Sequence, residues 1–86
     1  MTEVLAVFRS RSQAIDCNAR LRAAGIPAGL VNTPKEANIG CGLSIKLPQG
    51  AYERAKRIIS NVGYSAFYGY LKMQKEYGRT FIGRIG

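Results

Sequence analysis

Apolar and polar positions change period several times along this chain, and each change marks a new element. Residues 4–8 form a continuous apolar run of strand-forming residues, which predicts a buried strand. Spacings of three and four then predict an amphipathic helix whose apolar stripe is Ala14, Cys17, Leu21 and Ala24. Ser10 and Gln13 fit a capping box at its start. Gly25 and Ile26 fit a left-handed cap at its end.

The middle of the chain predicts two more strands and a second helix. Residues 28–31 predict a strand, and 32–40 a polar loop of small residues. Alternation from 43 to 47 has the period of a half-buried strand, with Leu43, Ile45 and Leu47 inward and Ser44 and Lys46 outward. An amphipathic helix is predicted over about 51–62, with Tyr52, Ala55, Ile58, Ile59 and Val62 on its apolar side and Gly63 as its cap.

The last quarter of the chain is less regular. Aromatic residues between 65 and 73 predict a strand, although the 67/70/71 spacing also fits a helix. The glycine-spaced basic residues of 74–86 fit either an added edge strand or a mobile tail. We therefore expect a single domain over 1–73 and a basic C-terminal extension over 74–86.

The element order predicts the fold. Strand, helix, strand, strand, helix, strand is the order of an α+β, ferredoxin-like βαββαβ domain. In that arrangement two helices pack on one face of a four-stranded antiparallel sheet. The opposite face would be left open, and small domains commonly hide such a face by pairing, so we expect a homodimer.

Composition places the chain among small globular proteins. Its 86 residues are 47% hydrophobic, which suits one folded domain. No apolar run is long enough to span a bilayer, and the first residues do not read as a signal peptide. We therefore expect a cytoplasmic protein that does not interact with membranes.

Charge points to an anionic partner. Thirteen Lys and Arg against five Asp and Glu give a net charge of +8, which fits nucleic acid, an acidic protein, a small anion, or solubility alone. Arg9 and Arg11 flank the start of the first helix, where the backbone favours anions. Tyrosines interleave with basic residues near the C-terminus, but such aromatics more often fill a sheet face, so nucleic acid is not the partner we expect.

Candidate chemistry reduces to two cysteines. With no histidine, catalytic Ser/His/Asp and Cys/His arrangements are excluded. A zinc site is not expected with so few ligands, and no phosphate- or dinucleotide-binding motif indicates a cofactor. Cys17 lies on the apolar stripe and is expected to be a buried structural thiol.

Cys41 is the candidate functional residue. It lies between Gly40 and Gly42, which leave a thiol accessible to a bulky reactant. Lys35 and Lys46 would favour its thiolate, the form that attacks sulfur. The alternative is a small buried hydrophobe where a loop enters a strand.

The chain has a strand, an amphipathic helix ending Ala24-Gly25-Ile26-Pro27, and then Pro34-Lys35 and Cys41-Gly42-Leu43 with Lys46. Over residues 3–71, this order and spacing resemble the family described as Putative Se/S carrier protein-like. The resemblance implies a small bacterial protein that holds sulfur or selenium on Cys41, with Lys35 where the family has a basic residue after proline. Such a carrier has no turnover of its own. Its partners would be persulfide or selenide donor and acceptor proteins, which the basic surface would suit if they are acidic. The alternative is a regulatory module binding a small anion or RNA.

Overall fold

The computed structural model describes residues 2–34, 42–76 and 78–85. Its elements are β1 (Thr2–Phe8), α1 (Arg11–Ala23), β2 (Gly29–Asn32), β3 (Leu43–Pro48), α2 (Tyr52–Val62), β4 (Phe67–Glu76) and β5 (Arg79–Ile85), with a 3₁₀ turn at Gln49–Ala51. The α+β class is as predicted. Among the described residues, no helix is long and apolar enough to cross a membrane.

The sheet has five strands rather than the predicted four. Their order is β2-β3-β1-β4-β5, and every neighbouring pair is antiparallel. β4 runs across the expected domain boundary at residue 73, and β5 pairs with it from Glu76↔Arg79 to Tyr70↔Ile85. Gly78, with φ of 75°, supplies the left-handed turn that a short hairpin requires. Of the two alternatives for 74–86, the described part forms the edge strand.

Local signals define the ends of both helices. The Ser10 hydroxyl accepts a hydrogen bond from the Gln13 N–H at 3.3 Å, as a capping residue should. The Gln13 side chain binds Ser65 and the Ala66 N–H instead of returning to Ser10, so it fastens α1 to the start of β4. Gly25 (φ 83°) and Gly63 (φ 72°) are the predicted left-handed caps.

Both helices pack on one face of the sheet, which we call the helix-covered face. Its buried residues come from α1, α2, alternate positions of β1 and β3, the link between α1 and β2, and β4: Val4, Ala6, Phe8, Ala14, Cys17, Leu21, Ile26, Ala28, Leu43, Ile45, Leu47, Ala55, Ile59 and Tyr70. The predicted stripe of α1 is confirmed at Ala14, Cys17 and Leu21. The prediction that Val62 lies on the packed side of α2 is wrong, because this last residue of the helix is 39% exposed.

The opposite, helix-free face is not open at its centre, contrary to expectation. Leu5, Val7 and Leu71 are at most 5% exposed there. They are packed against partly buried hydrophobic residues of the flanking strands, namely Val31, Tyr68, Met73 and Ile82. On this face of the twisted sheet, side chains of neighbouring strands therefore pack around a small apolar cluster, and neither described helix contributes to it.

Candidate functional site

The segment between β2 and β3 contains Cys41, and the pairing of these two strands holds its two ends together. β2 and β3 pair as far as Asn32↔Leu43, and the Thr33 N–H then donates to the Gly42 carbonyl at 3.2 Å. Gly42, half-buried, is thereby held at the entrance to β3. Because Cys41 is bonded to Gly42, its backbone begins one peptide bond from this fixed position. Cys41, Gly40 and Lys35 themselves lie outside the described residues, so the roles predicted for them stay predictions.

The ends of several strands meet around Gly42. β1 and β3 pair as far as Phe8↔Leu43, so Arg9 follows β1 at the same end of the sheet at which Gly42 precedes β3. The Arg9 N–H donates to the Ala66 carbonyl at 2.9 Å, which brings in the segment before β4. We call this region, defined by Arg9, Thr33, Gly42, Ser44 and Tyr68, the hairpin end of the sheet.

Arg9 supplies a positive charge at the hairpin end. Its guanidinium lies 5.1 Å from the centre of the Tyr68 ring, a cation–π contact that orients the side chain. Ser10, the next residue, caps α1, so the positive end of the helix dipole lies at the same place. Sequence reasoning named Arg9 only as a flank of the helix, because its proximity to Gly42 depends on the pairing of β1 with β3.

A pair of hydroxyl groups lies beside Gly42. The oxygens of Thr33 and Ser44 are 2.8 Å apart, and Ser44 is fully buried. The alternating pattern predicted Ser44 to face outward. It does point to the helix-free face, opposite Val7, but that face is closed there. A buried hydroxyl costs free energy unless it is hydrogen-bonded, and Thr33 provides that bond.

Lys46 lies further along the same strand and has a different partner. Its ammonium nitrogen is 3.7 Å from a carboxylate oxygen of Glu3. Lys46 pairs with Leu5 and Gly29, three residues into β3, which is about 10 Å beyond Leu43 in an extended strand. The described residues thus do not bring Lys46 next to Gly42, and Glu3 offsets part of its charge.

Cys17 has the environment of a structural thiol, as predicted. It is fully buried under α1, and this burial raises the pKa of the Cys17 thiol to about 11. A thiol with so high a pKa carries almost no thiolate near neutral pH. Cys17 is therefore unsuited to attack a persulfide, which leaves Cys41 as the candidate.

One surface depression among the described residues lies away from the hairpin end. It measures about 450 Å³ and is lined by Arg22, Gly25, Ile26, Pro27, Ala28, Gly29 and Lys46. This places it where α1 ends and β2 begins. Arg22 is engaged there, donating to the Ala28 carbonyl at 2.8 Å. The depression is shallow, and Lys46 is the one predicted site residue among the described residues that line it.

Fold and sequence together define a small α+β protein in which a cysteine directly precedes Gly42, which is anchored at the entrance to β3, at the end of the sheet where Arg9 follows β1. A family model described as Putative Se/S carrier protein-like matches residues 3–69, well over half of the chain. The chain belongs to this family, as its motifs predicted. The match ends within β4, so β5 lies beyond it. No curated protein and no solved structure matches the chain.

Proposed function

We propose that this protein carries sulfur or selenium as an adduct on Cys41 and passes it between partner proteins. The observation that carries the proposal is the family match over residues 3–69, which spans Cys41 and the hairpin end. Support comes from the Thr33–Gly42 hydrogen bond, which fixes the residue after the thiol. Glycine on both sides of the cysteine leaves space for bulky donors and acceptors to dock repeatedly.

The loading step is a thiolate–persulfide exchange. The Cys41 thiolate attacks the terminal sulfur of a donor persulfide, R–S–SH. The new sulfur–sulfur bond forms as the donor's own bond breaks, and the donor leaves as the thiolate R–S⁻. Cys41 then holds a persulfide, and an acceptor thiolate removes its terminal sulfur by the same exchange. A perselenide donor would deliver selenium in the same way.

Positive charge at the hairpin end would favour the reactive form. Arg9 and the start of α1 lie at the described end of the segment, and Lys35 is within the segment. A nearby cation lowers the free energy of a thiolate relative to the thiol. Lys46 would contribute less than the sequence suggested, because it is paired with Glu3.

The partners and the compartment follow from the same chemistry. A net charge of +8 would speed association with acidic donors and acceptors, more so at low salt. A cysteine that must stay a free thiol suits a reducing compartment, so we place the protein in the cytoplasm. We also infer that the first four strands represent the ferredoxin-like arrangement, since β4, β1, β3 and β2 are neighbours in that order, with β5 added at the edge.

Intact-mass measurement tests the carrier function. Wild-type protein incubated with a persulfide donor should gain one sulfur atom in a form that dithiothreitol removes. Cys41→Ser should gain none, while Cys17→Ala, which keeps the candidate thiol, should gain as much as wild type. An adduct that survives in Cys41→Ser would contradict the proposal. No adduct in any variant, together with steeply salt-dependent RNA or small-anion binding, would instead support the regulatory module.

A further inference from the structure

The sheet ends in a long strand that has a partner on one side only. β5 spans seven residues, and within the described ranges its one strand neighbour is β4. The other edge strand, β2, spans only four residues. An unpaired edge of this length presents N–H and C=O groups ready to pair with another strand, and natural proteins usually shorten, cover or occupy such edges.

The apolar cluster of the helix-free face reaches this edge. Its centre, at Leu5, Val7 and Leu71, is already buried within one chain, so pressing two helix-free faces together would remove little further apolar surface at that centre. Ile82 of β5 packs at the margin of the cluster and is only partly buried. Continuing the sheet beyond β5 would cover this margin, so the edge is a better contact than the face.

We propose that two copies of the chain associate through antiparallel pairing of their β5 strands, about a two-fold axis at Ile82. That register pairs 82 with 82, 81 with 83, 80 with 84 and 79 with 85. Arg79 and Arg84 therefore do not lie opposite each other, which avoids a direct like-charge pair. The result is one continuous ten-stranded sheet in which neither β5 edge is left open.

The β5 edge of a second copy is a better partner for β5 than the β2 edge of that copy. Pairing β5 with β2 of another copy would be head-to-tail, would match seven residues with four, and would leave open edges that extend into a filament. The two-fold contact closes on itself. Each copy carries +8, so long-range repulsion opposes the dimer, and added salt should strengthen it by screening.

Gly83 permits a clean test at the edge. It is exposed, and a Cβ added there would meet no atom within 4 Å, so Gly83→Lys should leave the single chain folded. In the dimer each new lysine would lie beside the partner strand. Gly29 in β2 is the matched control, because a Cβ there also meets nothing within 4 Å and it lies on the opposite edge.

Sedimentation equilibrium at about 1–200 μM would measure the association. We expect a wild-type dimer whose dissociation constant falls as salt is raised. Gly83→Lys should weaken it at least about tenfold, and Gly29→Lys by less than about twofold. Circular dichroism would verify that both variants fold. A wild-type monomer throughout this range, or equal effects of the two lysines, would overturn the proposal.

Crosslinking locates the two-fold axis. In a Cys41→Ser background, Ile82→Cys should join two copies through a short bis-maleimide, because position 82 faces itself, while Gly29→Cys should not. Cys17 is buried and does not compete. A dimer that crosslinks equally well at position 29 would refute the β5 contact. None of these results depends on sulfur transfer, so the dimer and the carrier function can fail independently.

Discussion

The two faces of the sheet are both apolar at their centres, but they are closed in different ways. On the helix-covered face, Phe8 contacts Tyr64 and Phe67 edge-on, at ring-centre distances of 5.3 and 5.4 Å, beneath two amphipathic helices. On the helix-free face, three buried residues pack, among the described residues, against side chains of the flanking strands. One face is a deep core, whereas the other is a thin apolar layer.

The two faces of the sheet also differ in the residues that they carry. The helix-covered face holds the inert thiol Cys17 and most of the buried hydrophobic residues. The helix-free face carries the hydroxyl pair of Thr33 and Ser44, the Arg9–Tyr68 contact and the margin at Ile82. Of these features, the exposed Arg9 and the partly buried Ile82 are accessible to a partner, whereas the Ser44 hydroxyl is fully buried.

Matched leucine truncations give the largest expected contrast between the faces. Leu47 on the helix-covered face and Leu5 on the helix-free face are each 1% exposed. Leu47→Ala should lower the free energy of unfolding by about 3–4 kcal/mol, and Leu5→Ala by about 2 kcal/mol, because the thin layer can relax into its cavity. Urea denaturation measures both. A larger loss for Leu5→Ala would show that the helix-free face is the main core.

The hydroxyl pair should give a smaller effect on the helix-free face. Thr33→Val leaves the buried Ser44 hydroxyl without its described partner and should cost about 1–2 kcal/mol. Adding Ser44→Ala to Thr33→Val should restore part of this loss, since no unpaired hydroxyl then remains. A double-mutant cycle in urea would measure the coupling. Strictly additive losses would mean that the two hydroxyls do not stabilise each other.

The smallest effect concerns the acid stability of the helix-covered side. The Tyr64 hydroxyl, which donates to Asp16 at 2.6 Å, and the Arg20 guanidinium hold the pKa of the Asp16 carboxyl below its ordinary 3.8. Such a group stabilises the fold above pH 3.8, and this contribution is lost as the pH falls through the lowered value. Tyr64→Phe should therefore flatten the decline of Tm between pH 5 and pH 2.

The matched control is Tyr52→Phe, because Tyr52 also makes an edge-on ring contact but has no described bond to Asp16. Its pH profile should follow that of wild type. Carbon NMR of the Asp16 carboxyl should show its pKa rising in Tyr64→Phe alone. An unchanged Asp16 pKa in that variant would remove Tyr64 from the explanation and leave Arg20 as the cause.

Local patterns predicted the helices well. The α1 stripe, the Ser10 cap and the turns at Gly25 and Gly63 all follow from residues within a few positions of one another. The same patterns predicted that Cys17 is buried and indicated the family to which the chain belongs. They placed a candidate thiol next to Gly42, whose anchoring to Thr33 only the folded sheet reveals.

Properties that depend on distant parts of the chain were predicted less well. Ser44 was expected to face water, but it is fully buried between Val7 and Val31 on the neighbouring strands and is hydrogen-bonded to Thr33. Lys46 was expected to favour the Cys41 thiolate, which stays a prediction, but its ion pair with Glu3, from a strand more than forty residues earlier, was not foreseen. β5 remained one of two alternatives, since an edge strand forms only where a neighbour offers its backbone.

The sequence by itself determined the two helices and where they end, the first three strands, and which cysteine is a structural one. Helical periodicity, caps and glycine turns are encoded over a few residues, so they can be read without the fold. Tertiary structure decided which charges meet, which polar groups are buried and which edge is left unpaired. Those outcomes depend on strand order and register, which bring together residues far apart in the chain.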